Sequence, residues 1–187
     1  MTTFFRIIWL IPISILAAAV TGGGSAYLPD GGQFILVSGG GLMVLGPLLM
    51  IVFRQKYPSW WFDWNLELTR FTTRVGAYAG LLTDKYPSTD EAQSVHLDLD
   101  YPNVEQGLNR WLPLVKWLLL IPHYLVLMVL GFFAFFAIVI AWFAILFTGV
   151  YPRGIFDFVV GVTRWGLRVQ AYGFLLITDE YPPFSLE

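Results

Sequence analysis

A chain of 187 residues that is 57% hydrophobic, 18% aromatic and 13% charged falls outside the range of ordinary soluble domains and reads as a membrane protein. With no cysteine, disulfide scaffolds and thiolate metal sites are excluded, and the formal net charge of -2 comes without the basic runs a nucleic-acid surface needs.

Residues 4–20, FFRIIWLIPISILAAAV, are predicted as a first span, just long enough for a bilayer core of about 30 Å. A cleaved signal peptide with Arg6 as its basic region is the rival reading. The echo of RIIWLIP at 6–12 by KWLLLIP at 116–122, deep inside the chain, favours the span. A Gly-rich outer turn carrying Asp30 follows at 21–33, then a second predicted span at 34–53.

Residues 57–87 and 151–182 are the same text twice, identical at 16 of 31 aligned positions, with one residue more in the second copy. Steps of three and four place Asp63, Glu67, Arg70, Arg74 and Tyr78 on one helical stripe, and Asp157, Arg164, Arg168 and Tyr172 on its counterpart. Each charge costs roughly 3 kcal/mol at the centre of a bilayer against roughly 0.3–0.6 gained per large apolar side chain. Both copies are therefore expected as amphipathic helices in the membrane interface. Tyr-Pro pairs at 57, 86, 101, 151 and 181 mark element ends.

The polar stretch 84–110 joins the copies. Within it His96, Asp98 and Asp100 alternate along a strand-like run; they lack a second ligand group for a metal and read as a wet face. From Trp111 to Val150 the chain is almost continuously apolar, and two spans with a tight turn near Gly131 are predicted, Lys116 snorkelling to the headgroups and Pro122 kinking the first arm. In that scheme all eleven Lys and Arg lie on one side, so both termini are expected in the cytoplasm.

The expected fold is an all-α membrane protein with four transmembrane helices, arranged as two parallel-repeated hairpins, each followed by an amphipathic interfacial helix. Residues 1–88 form the first unit, 89–109 a polar linker and 110–187 the second unit. The axis relating the units would run along the membrane normal.

RWLPLVKWLLLIPHY at 110–124, AWFAILFTGVYPRGIFDFVVGVTRW at 141–165 and RVQAYGFLLITDEYPPFSL at 168–186 resemble the bacterial membrane family called domain of unknown function 4389. The second half carries the likeness closely. The first half resembles it as a diverged copy, lacking the RWLP lead-in before Arg6 and carrying an insertion at its outer turn. The resemblance implies an integral protein of the inner membrane, built of tandem hairpin units, with no assigned reaction.

No phosphate loop, nucleophile motif or catalytic carboxylate pair is present, so the chain reads as no enzyme, with no cofactor and no metal. The candidate contacts for a lipid or partner are Asp63, Arg70, Arg74, Asp157, Arg164 and Arg168, together with His123, an ionisable group inside an apolar span. The charges can bind an anionic headgroup or a partner protein, or simply pair with one another. Two functions stand open: a membrane scaffold or accessory subunit that also shapes the bilayer, and a small oligomeric transporter or lipid-binding protein with its site between the repeats.

Overall fold

The computed structural model describes residues 24–27, 33–36, 39–88, 93 and 96–187, with side chains from residue 44 onward except those of 105 and 106. The span predicted at 4–20 lies outside the described residues.

Strands β1 (Gly24–Tyr27) and β2 (Gln33–Leu36) pair antiparallel, Gly24 opposite Leu36 and Tyr27 opposite Gln33. The second predicted span therefore does not begin as helix. Its first residues belong to β2, and helix α1 runs Gly39–Arg54. Helix α2 spans Ser59–Ala79, the short α3 Val104–Gly107, α4 Pro113–Leu119, α5 Ile121–Thr148 and α6 Arg153–Gln170, which continues into a π-helical turn at Ala171–Leu175.

The tight turn expected near Gly131 does not exist. Helix α5 is continuous over 28 residues, roughly 42 Å at 1.5 Å per residue. A lone Gly costs a helix only about 1 kcal/mol, and here no Pro, Asn or second Gly stands beside it. The chain turns instead at Gly149, whose left-handed φ of 72° ends α5, and at Pro152, which caps α6 in extended geometry. Pro122 stands in the first turn of α5, and directly before that helix, at Leu120, the helical run that begins at Pro113 is interrupted.

Among the described residues α5 alone is long and apolar enough to cross a membrane, and the apolar stretch of α1, Val44–Arg54, is shorter than a span. Only His123, Ala134 and Ala141 of α5 are buried, while Met128, Phe132, Phe135 and Phe147 are more than 60% exposed. So extensive an apolar surface marks a membrane or a partner rather than water.

Helix α6 returns antiparallel along α5. Leu120 at the head of α5 packs with Trp165, Val169 and Tyr172 near the end of α6. The second amphipathic helix is thus the return arm of a helical hairpin, because its buried Trp165 and Val169 find their apolar partners Tyr124, Leu127 and Leu130 on α5.

The two similar stretches share several contacts at their ends. Pro58 and Pro152 cap them, each carbonyl accepting from the amides three and four residues on. Tyr57 meets Phe62 edge-on, as Tyr151 meets Phe156. Leu81 and Leu176 end the copies at φ 63° and 57°, and Tyr78–Tyr86 and Tyr172–Tyr181 form equivalent edge-on pairs at 5.7 and 5.8 Å. The extra residue of the second copy is absorbed by the π turn: Ala77 O accepts from Leu82 N–H, whereas the equivalent Ala171 O accepts from Ile177 N–H, one residue further along.

Each copy also holds the other. The Tyr57 hydroxyl donates to Leu175 O at 2.9 Å and the Tyr151 hydroxyl to Gly80 O at 3.3 Å, in both cases the carbonyl just before the left-handed leucine. The head of each repeat helix therefore meets the tail of the other, and α2 and α6 lie antiparallel.

Candidate functional site

Between the copies lies a cavity of about 420 Å³. Helix α2 contributes Asn65, Leu68, Thr69 and Thr72; α5 contributes Tyr124 and Leu127; α6 and its π turn contribute Gly166, Val169, Gln170, Phe174 and Leu175; Val44 of α1 completes the wall. Asn65, Thr69 and Thr72 are spaced four and three, so they form one row of α2 facing the junction. The Thr69 hydroxyl donates to Asn65 O at 2.7 Å, and that of Thr72 sits 3.0 Å from Leu68 O.

The charged stripes do not line this cavity. Arg70 reaches Glu67 at 2.6 Å, Asp98 at 2.8 Å and Leu97 O at 2.7 Å, while Arg74 donates to Ser88 O at 2.9 Å. In the second copy Arg168 donates to the carbonyls of Ser185 and Glu187. The arginines of each copy thus fasten the segment that follows it, the linker on α2 and the C-terminal tail on α6. Asp63, Asp157 and Arg164 are exposed. Asp98 is committed to Arg70, and residues 96–100 form no strand.

Replacing Arg168 by alanine should release the tail at a cost near 1 kcal/mol, since these hydrogen bonds are partly solvated. Hydrogen exchange of residues 183–187 should rise while that of α5 stays unchanged.

His123 is fully buried and turned away from the cavity. Its Nδ1 accepts from the Trp165 indole at 3.0 Å, and its ring stacks on Phe184 at 3.9 Å. It ties α5 to α6 and to the tail.

Lys116 does not snorkel. It is fully buried, 2.7 Å from Asp179 Oδ1 and 2.7 Å from Thr178 O, with its ammonium 4.7 Å from the centre of the Tyr172 ring. Burial lowers its pKa and Asp179 opposes that shift. Asp179 also accepts from the Asn109 amide, and the Arg110 guanidinium caps the last carbonyls of α1, Val52 and Phe53. These contacts gather the end of α1, the end of the linker, the start of α4 and the tail at one pole, which carries Arg54, Lys56, Arg110 and Lys116. The sequence signal was the Thr-Asp pair closing each copy, which looks only like a helix end until Lys116 is placed beside it.

Residues 111–185 match the model of a family described as Domain of unknown function (DUF4389). The match covers α4, α5, α6, the π turn and most of the tail, about two-fifths of the chain. No curated protein and no solved structure matches this sequence.

Proposed function

We propose that the chain is an integral membrane protein of the bacterial inner membrane, non-enzymatic, built from two diverged copies of one unit and handling a lipid between them. The observation that carries this reading is the apolar cavity at the junction of the copies, walled by α5, the helix with the most lipid-compatible surface. The scaffold reading needs a polar linker free to meet a partner. The linker's Leu97 and Asp98 are instead held on Arg70, which weakens it.

With α5 crossing the bilayer, its return arm α6 and the antiparallel α2 run alongside it. The pseudo-two-fold then lies in the membrane plane rather than along its normal. Such inverted-topology repeats typically place their binding site at the interface between the copies. The exposed Asp157 and Arg164 on α6 then require water or a second copy beside them, since an unaccompanied charge at the centre of a bilayer costs roughly 3 kcal/mol. With α5 unbroken the basic residues do not all share one side: Arg153 opens α6 and Lys85 follows α2 at the far end. The pole bearing Arg54, Lys56, Arg110 and Lys116 is assigned to the cytoplasm on the positive-inside rule because it carries more of them.

Native mass spectrometry of the detergent-solubilised full chain tests this function. The expected spectrum carries a retained lipid on each copy of the chain. A lipid-free chain in stoichiometric complex with another protein would favour the scaffold.

A further inference from the structure

Resting on that reading, we propose that the cavity takes one acyl chain of an ester lipid, its carbonyl oxygen accepting a hydrogen bond from the Asn65 amide. The volume, about 420 Å³, lies in the range of small-ligand pockets, roughly 300–1,000 Å³. None of the lining side chains is charged, so a free carboxylate or phosphate placed inside would have no counter-charge.

Asn65 is one of the positions at which the two copies differ. The equivalent position in the second copy is Val159, 5% exposed and apolar, whereas Asn65 is 3% exposed and its Nδ2 makes no hydrogen bond. That amide also lies close enough to the Tyr57 hydroxyl to favour its phenolate, although the two do not meet hydrogen-bond geometry. The hydroxyl protons of Thr69 and Thr72 are directed to backbone carbonyls, so on the α2 wall the donor left for an incoming molecule is the Asn65 amide. An acyl ester supplies such an acceptor, uncharged and attached to a chain that fills apolar space.

The walls also provide a clean block. A Cβ built on Gly166 meets nothing within 4 Å, so a phenylalanine there grows into the cavity without a backbone clash. Asn65→Val copies the second repeat and removes the donor without adding volume.

The test uses the full chain in detergent with three diazirine probes: a diacylglycerol, a phosphatidylcholine and a free fatty acid. After irradiation, the labelled peptides are mapped by mass spectrometry. The ester probes should label the peptides holding Tyr124–Leu127 and Val169–Phe174. Gly166→Phe should reduce that labelling at least tenfold and Asn65→Val about tenfold, the effect of losing one good hydrogen bond. Stronger labelling by diacylglycerol identifies a free neutral lipid, and equal labelling identifies a phospholipid chain drawn in from the bilayer. Either supports the proposal.

Labelling confined to the outer face of α5, near Met128 and Phe132, and unchanged in both variants, would overturn it, as would equal labelling by the fatty acid. Thermal melting keeps the variants interpretable, since Asn65→Val should not lower the melting temperature of the lipid-free protein. If wild type retains lipid in native spectra while neither variant changes it, this inference falls and the lipid-handling function stands. If wild type retains none, both fall.

Discussion

Lys116→Met should destabilise the fold by about 3–5 kcal/mol, the largest effect expected of any single exchange outside the apolar cores. The Lys116 ammonium is fully buried, and the substitution leaves Asp179 facing Tyr172 and the Thr178 carbonyl without its cation. Asp179 is also the acceptor for the Asn109 amide, so the damage should reach the junction between the linker and α4. Taking two charges out of water is itself expensive, and deleting both should hurt less than deleting either. The double variant Lys116→Met with Asp179→Leu is expected to recover at least half of the loss. Denaturation midpoints of the four proteins in one detergent give the coupling directly. A double variant as unstable as the sum of the singles would show that the two side chains act independently.

Tyr57→Phe should cost about 1–3 kcal/mol, since it strips the Leu175 carbonyl of its donor at a buried contact between the copies. Burial pushes the Tyr57 phenol up to about 12. The unfolded chain therefore gives up this proton near pH 10 and the folded chain only near pH 12. The stabilisation is complete below pH 10 and is lost as pH rises through that window, about 3 kcal/mol in all. The phenylalanine variant should lose this alkaline dependence together with its share of stability. Tyr151→Phe removes the reciprocal bond to Gly80 and should be milder, because Tyr151 is less buried and its bond is longer.

The starts of α2 and α6 were legible from sequence because they rest on local chemistry. Tyr-Pro sets the entry to α2 and α6, and the three-and-four spacing sets their faces. What covers each face was not legible. The same periodicity that put Arg70 and Arg168 each on a charged stripe of its own helix fits a groove, a headgroup or a docked segment, and only the fold brings Asp98 and Ser185 to them. The predicted hairpin within residues 111–150 failed for a related reason. Forty apolar residues fit two short helices or one long helix with a short lead-in, and a single glycine cannot choose between them. Lys116 misled because a lysine near the end of an apolar run usually snorkels, whereas its partner Asp179 lies 63 positions away in sequence. The extra residue in the second copy was visible, but its absorption by a π turn depends on matching both helix ends across the junction.

The continuity of α5 inside the membrane is what the account rests on, and a single cysteine tests it, because the native chain has none. Gly131→Cys, probed in sealed vesicles of either orientation with a membrane-impermeant maleimide, should stay unlabelled from both sides and react fully once detergent is added, while Gly149→Cys at the end of the helix reacts from one side without detergent. Labelling of Gly131→Cys in intact vesicles would place a turn at the bilayer surface there, and α5 could not be the uninterrupted membrane-embedded helix on which the cavity and the antiparallel copies depend.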